Sequence, residues 1–196
     1  GNFTLLQYGS DGTTDDVERY RIARLNTDGS IDANFSPGLN NSVAGVLVTA
    51  GNQVLAGGTF TKVLSPETAW NYLVRIRSDG VYDPTFTVQT DDRVSGLIAG
   101  PNGTAYVYGR FTKAYTTAGD ALVTTGHVFR LTSDGSLDHA YGVSTSNPAG
   151  EAVLALAVQS NGRVLVGGQF DTLSGRATPN LARLYSGGTP DATFAS

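Results

Sequence analysis

The chain has 196 residues, 40 % of them hydrophobic, which is enough apolar side chain for a packed core and argues against a disordered polypeptide. Its net charge is −4 with no two basic residues adjacent, so it lacks the basic stripe that a nucleic-acid partner needs to displace counterions from phosphate. The apolar run 153–158 is far too short to span a bilayer, and the lack of any cysteine rules out disulfides and Cys-ligated zinc.

The first four residues, G-N-F-T, match G-T-F-T at 58–61 and G-R-F-T at 109–112. The chain therefore starts inside the second strand of a repeat whose remainder follows: Arg24 opens R-L-N-T-D-G-S-I-D-A-N-F. From Val43 to Phe60 comes an apolar hairpin pattern centred on Gly51-Asn52. The arginine block then returns at Arg75 as R-I-R-S-D-G-V-Y-D-P-T-F. The same pair of blocks recurs from Val94 to Phe111 with Asn102-Gly103, then at Arg130, and from Val153 to Phe170 with Asn161-Gly162, then at Arg183. The arginines are 51 to 55 residues apart; in every block Gly follows five positions later, Asp eight, and an aromatic eleven.

A fixed period of this length is the signature of a repeat architecture. Asn-Gly between apolar runs predicts a type I′ hairpin, because both central residues of that turn need positive φ. The nearly continuous apolar flanks, V-L-A-L-A-V and R-V-L-V-G-G-Q-F, read as strands covered on both faces. Each unit is thus an inner hairpin, an arginine-bearing strand, a D-G turn and a short aromatic-tipped strand, with no helix anywhere. The expected fold is all-β: a β-propeller-like array of four-stranded blades, one partial (1–35) and three complete (43–86, 94–141, 153–194). Closed propellers carry four to eight blades, so this count predicts that a neighbouring chain or the rest of a longer parent chain completes the open edges. Those edges are expected around Phe3–Leu6 and Leu181–Leu184, where no Lys or Pro blunts them.

The blocks resemble the delta-60 repeat, a bacterial extracellular β-propeller repeat of the form N-L-A-R-L-N-x-D-G-S-L-D-x-x-F followed by A-V-Q-x-D-G-K-I-L-V-G-G-x-F-T. The matching stretches are N-L-A-R-L at 180–184, D-G-S-L-D at 134–138 and A-V-Q-S-N-G-R-V-L-V-G-G-Q-F at 157–170. The resemblance implies large secreted or surface proteins, with similar repeats in phage tail-associated proteins, and it brings no catalytic residues.

Candidate sites are few. The pairs Asp28/Asp32, Asp79/Asp83 and Asp134/Asp138 carry carboxylates at a spacing that suits a calcium ion, but a calcium loop gathers more oxygens than two side chains supply. The fourth copy has Gly187 in place of the first aspartate and keeps Asp191. Turn capping explains the pattern better, so neither a metal nor a cofactor is expected. The constant offset of eight predicts the ion pairs Arg24–Asp32, Arg75–Asp83, Arg130–Asp138 and Arg183–Asp191, for which the planar guanidinium is well suited. Only two histidines, His127 and His139, are present, and no Ser-His-Asp arrangement is suggested. The adjacent acids Asp15/Asp16 and Asp91/Asp92 read as solvated loop faces, not as a glycosidase pair set across a cleft.

The stretch from each block-ending Phe to the next Arg varies, at 21, 15, 19 and 13 residues, while the rest is rigid. Such variation marks a binding face in repeat proteins. Trp70, Tyr72 and Tyr115 lie there and are the candidate anchors for a protein or glycan partner. The chain reads as a non-enzymatic module for adhesion or recognition, extracellular, at a cell surface or on a virion. A structural or receptor-binding part of a phage tail or extracellular filament is the alternative, and a polysaccharide-active enzyme the third reading.

Overall fold

The computed structural model describes residues 1–8, 15–116, 123–124, 126–141, 143–146 and 153–194. Each complete repeat forms one three-stranded antiparallel sheet whose middle strand is the second strand of the hairpin. The sheets are Val43–Val48, Val54–Gly58 and Leu73–Ile76; Val94–Ala99, Ala105–Gly109 and Val128–Leu131; and Val153–Val158, Val164–Gly168 and Leu181–Leu184. The fourth strand is reduced to a single bridge in every repeat: Leu25↔Ile31, Ile76↔Tyr82, Leu131↔Leu137 and Leu184↔Pro190. It stops there because the D-x-x-F segment folds back on itself. The Asp83 N–H donates to the Arg75 carbonyl (2.8 Å) and the Phe86 N–H to the Asp83 carbonyl (3.1 Å), and the other three copies repeat both bonds.

The hairpin turns follow the Asn-Gly expectation in two copies of three. Gly51 and Asn52 both have positive φ, as do Asn102 and Gly103, but in the fourth repeat only Gly162 does. There the Gly162 N–H donates to the Gln159 carbonyl at 2.8 Å, a right-handed turn ended by one left-handed glycine.

Successive sheets stack face to face. Gly57 permits the approach, since a Cβ there would collide with the Val94 side chain of the next sheet. The block-ending aromatics Phe60, Phe111 and Phe170 and the tip aromatics Phe35, Phe86 and Tyr141 are all fully buried. They fill two apolar clusters, one shared by the first three repeats and one joining the third to the fourth.

The variable connections are not free loops. They form a second, outer layer of short hairpins: Leu5–Tyr8 with Asp15–Glu18, Lys62–Leu64 with Glu67–Ala69, Lys113–Thr116 with Val123–Thr124, and Thr172–Leu173 with Arg176–Ala177. The tail of each repeat crosses to the outer hairpin of the next. Val88–Thr90 pairs with Lys113–Thr116, Thr145–Ser146 with Thr172–Leu173, and Leu39 bridges to Val63. Tail side chains also cap these strands: the Asn40 amide oxygen accepts from the Thr61 and Lys62 N–H groups, and an Asp91 carboxylate oxygen from those of Thr112 and Lys113. Neighbouring repeats are thus joined both by stacked side chains and by backbone hydrogen bonds.

The edges lie near those expected. Leu181–Leu184 is the outer strand of its sheet, paired with Val164–Gly168 on one side and met on the other only at its end, by the bridge from Leu184 to Pro190 and the bond from the Asp191 N–H to the Arg183 carbonyl. Leu5–Tyr8 is paired on one side by Asp15–Glu18.

Returning from the outer hairpin to the inner sheet requires a sharp bend, always three residues before the arginine. Arg21, Tyr72, His127 and Asn180 take left-handed φ values of 72°, 65°, 76° and 65°. The bent residue closes the turn from both sides. The Asn180 N–H donates to the Phe170 carbonyl, and the Asn180 carbonyl accepts from Gly168, each at 2.9 Å. His127 and Asn180 are of types enriched in this conformation, whereas Arg21 and Tyr72 are not. Because Asn180 is exposed, Asn180→Val removes no buried contact, yet we expect it to cost about 1–2 kcal/mol. The measurement is a urea titration, with a lower midpoint at unchanged slope; Asn180→Gly should leave the midpoint nearly where it was.

Candidate functional site

The structure brings together the four arginine–aspartate pairs. Nε of Arg24, Arg75, Arg130 and Arg183 donates to Oδ2 of Asp32, Asp83, Asp138 and Asp191 at 2.8, 2.8, 2.8 and 2.7 Å. The other carboxylate oxygen, Oδ1, accepts a backbone N–H two residues on, from Asn34, Thr85, Ala140 and Thr193. Each guanidinium also lies over its own tip aromatic, 4.5 Å from Phe35, 5.2 Å from Phe86, 4.6 Å from Tyr141 and 4.7 Å from Phe194. Nη1 then reaches into the following repeat. Arg24 donates to the Ser78 carbonyl (2.8 Å), Arg75 to Asp134 (2.6 Å) and Arg130 to Ser186 (2.6 Å). Those carbonyls sit in the D-G turns, and a Cβ on Gly135 would collide with the Arg75 guanidinium. The glycine therefore meets two demands: a left-handed φ of 89° and the close passage of its neighbour's arginine.

The first aspartate of each D-G turn caps its own loop. Asp28 Oδ1 accepts from the Ser30 N–H (2.9 Å) and hydroxyl (2.6 Å); Asp79 accepts from the Val81 N–H (3.0 Å) and Arg77; Asp134 from the Ser136 N–H (3.0 Å) and the Thr132 hydroxyl. These bonds hold all three carboxyls below their ordinary pKa range, led by the Ser30 hydroxyl for Asp28, the Val81 N–H for Asp79 and the Thr132 hydroxyl for Asp134. Among the described residues, no three His, Asp or Glu side chains converge on one point. Asp91 and Asp92 diverge, the first to Thr112 and Lys113, the second to the Arg93 N–H and, at 3.5 Å, the Arg110 guanidinium. The side chains of Asp15 and Asp16 lie outside the described residues.

The expected aromatic anchors are not presented to a partner as a group. Trp70 is 7 % exposed, its indole N–H donates to the Leu73 carbonyl (2.7 Å), and its ring tilts against Tyr82. It covers the core beneath the outer hairpin. Tyr72 is half-buried against the same core at the left-handed bend. Tyr115 is also half-buried and accepts from the Asn71 amide at 3.2 Å, while the Asn71 N–H donates to Gln89. This ties the second repeat to the third. The aromatic content of the variable stretch gave no hint of its burial, because its strands are too short to show an alternating pattern.

What the sequence did not reveal is a cleft of about 320 Å³ between the second and third repeats. Thr85 and Thr87 of the second repeat's tail form one wall, Ser136 and His139 of the third repeat's turn the other, with Thr116 at the rim and Phe86 and Leu137 on the floor. Arg75 borders it, but its charge is committed: Nε to Asp83, Nη1 to the Asp134 carbonyl and Nη2 to the Thr85 hydroxyl (3.2 Å). Asp134 is likewise held by Thr132 and Ser136. The cleft is polar: its arginine is committed, and the Asp134 carboxylate at its edge is held by hydroxyl and N–H donors.

The clamp yields a test. For Asp83, burial pushes the carboxyl pKa up, but the Thr85 and Arg75 bonds outweigh it and hold it below the ordinary range. Its contribution to stability is therefore complete above an unfolded-state value of about 3.9 and fades as pH falls through the lower folded-state value. We expect Arg75→Leu to cost about 3 kcal/mol near neutral pH, by leaving a buried carboxylate without its cation. The loss should exceed that of Arg24→Leu, whose ion pair is more exposed. Chemical denaturation of both variants checks the order.

No curated protein matches this chain. The model of a family described as a domain of unknown function, DUF5122, β-propeller, matches residues 6–35, 52–86 and 159–194, just over half of the chain. The matched stretches each contain the clamp arginine, the glycine turn (Asp-Gly in the first two, Gly187-Gly188 in the last) and the tip aromatic. With that match and three stacked, arginine-linked sheets, the chain belongs to the DUF5122 β-propeller family.

Proposed function

We propose that this propeller chain is a non-catalytic recognition module that takes an uncharged, hydroxyl-rich ligand, such as a cell-surface glycan, in the cleft between its second and third repeats. One observation carries the reading. Within a cleft whose arginine is committed to Asp83, the Thr87 hydroxyl and the His139 imidazole make no hydrogen bond among the described residues. Groups held ready in this way serve neutral hydroxyl ligands, which need both donors and acceptors; an anion would need an uncommitted cation. A hydrolytic role is disfavoured because the nearest carboxylate, Asp134, is held by turn bonds and has no second carboxylate beside it in the cleft. The resemblance to the delta-60 repeat supports an extracellular setting, at a cell surface or on a virion, where such a ligand is met. The alternative role, in a phage tail or extracellular filament, rests on the same resemblance, which extends to repeats of phage tail-associated proteins.

A glycan array screened with the full chain tests the main reading. Any hit should weaken at least tenfold with His139→Ala and with Thr87→Phe, which fills the cleft, while thermal melting stays unchanged. Binding unaffected by both variants would place recognition elsewhere. Release of reducing ends from a bound glycan would show an enzyme instead.

A further inference from the structure

Asn-x-Ser/Thr, with any residue but proline in the middle, is the acceptor pattern for N-linked glycans. The chain carries it four times, at Asn2, Asn34, Asn40 and Asn102. A pattern this short recurs by chance, so the fold decides which copies a transferase can use. The enzyme must reach all three residues and turn the carboxamide toward its sugar donor.

Three copies are tied down. The Asn40 amide nitrogen donates to the Thr61 hydroxyl (3.1 Å), and its oxygen accepts from the Thr61 and Lys62 N–H groups. A glycan there would undo a joint between the first and second repeats. Asn34 is followed by Phe35, which is 1 % exposed, so that tripeptide leaves the surface only by pulling an aromatic out of the core. The Asn2 amide oxygen accepts from Arg21 (3.0 Å) and from the Ser42 hydroxyl (3.1 Å).

Asn102 differs on each count. It stands at the tip of the hairpin that joins Val94–Ala99 to Ala105–Gly109, exposed together with Pro101 and Gly103. Its side chain makes no hydrogen bond among the described residues, and the Thr104 hydroxyl bonds only the Pro101 carbonyl of the same turn (2.7 Å). The turn does not need a hydroxyl at this position, because Gln53 and Arg163 occupy it in the second and fourth repeats. Thr104 is what makes an acceptor of this hairpin tip.

We propose that Asn102 is the attachment site of an N-linked glycan, a reading independent of the cleft. In the transfer, Asn102 Nδ2 bonds to the anomeric carbon of a hexose activated as its nucleoside diphosphate. The bond from that carbon to the phosphate oxygen breaks, and its electron pair leaves with the nucleoside diphosphate. The proton lost from Nδ2 goes to a base of the transferase. The glycan then stands at the end of the sheet away from the outer hairpin, because Ala105–Gly109 runs from this turn toward it.

The test uses the folded full chain, a nucleoside-diphosphate hexose and a soluble N-glycosyltransferase that modifies the free peptides 37–45 and 99–107. The peptides establish that the enzyme accepts both sequences, so any choice between them on the chain comes from the fold. We expect the intact mass to rise by a single hexose, mapped to Asn102. Asn102→Gln and Thr104→Arg, the residue type of the fourth repeat, should melt as the parent does and gain no hexose. An unmodified parent chain would overturn the proposal, as would modification of Asn2, Asn34 or Asn40 at a rate matching Asn102.

Discussion

Everything in this propeller hangs on a guanidinium group with three tasks. Within its own repeat each clamp arginine neutralises an aspartate and lies over an aromatic; Arg24, Arg75 and Arg130 also bind, with the remaining arm, a backbone carbonyl of the next repeat. Lysine has no planar fork with which to do all three. The aspartate is held in turn by the backbone of the D-x-x-F loop, so the charge pair, the loop and the aromatic form one unit. Because the third arm crosses between repeats, the contact that closes one repeat also sets the position of its neighbour. A repeat array needs this coupling, since no single three-stranded sheet buries enough apolar surface to stand alone.

The inner layer was legible in the sequence because its constraints are local and strict. Eight residues from Arg to Asp, five to Gly and eleven to the aromatic leave no freedom for insertion, and the contacts fall where that spacing puts them. Asn-Gly turns spoke equally clearly for the hairpins, but the apolar runs did not mean strands covered on both faces: in Val153–Val158 only Val153 is fully buried and Leu154 is 52 % exposed. The outer layer was not legible. Lys62–Leu64 and Glu67–Ala69 are three residues each, too short for a period of two to register. The tail strand Val88–Thr90 pairs with a hairpin more than twenty residues away in another repeat. Trp70 was misjudged for the same reason: a variable stretch reads as exposed loop unless its pairing partner is known. The left-handed bend was half visible, as an asparagine at 180 that stands as arginine, tyrosine and histidine in the other copies.

This division of labour bears on function. The clamp and hairpins fix the angle between repeats, while the outer hairpins and tails, free to vary in length, line the clefts that open between them. The cleft between the second and third repeats takes its walls from a tail, a turn and an outer hairpin, three elements that the clamp holds in register. In the proposed recognition role, variation in those elements would change the ligand without disturbing the stacking, as rigid scaffolds with variable connections allow.

The third repeat shows how far the clamp tolerates change. Tyr106 stands where the second and fourth repeats have Leu55 and Leu165, and Tyr141 where the other tips are phenylalanine. Both rings are fully buried, and among the described residues the Tyr141 hydroxyl finds no hydrogen-bond partner, while the Tyr106 hydroxyl interacts with the Arg130 guanidinium. An unsatisfied buried hydroxyl costs roughly 1–3 kcal/mol, and the edge-to-face contact of the rings, at 5.3 Å, returns only about 0.5–1.5 kcal/mol. Yet Arg130 keeps its bonds to Asp138 and the Ser186 carbonyl at the same lengths as its counterparts. The geometry is therefore set by the arginine and its turn, with the aromatic as packing against them. A repeat can drift in its buried aromatics, even at a cost in stability, as long as the guanidinium still reaches across to the next turn.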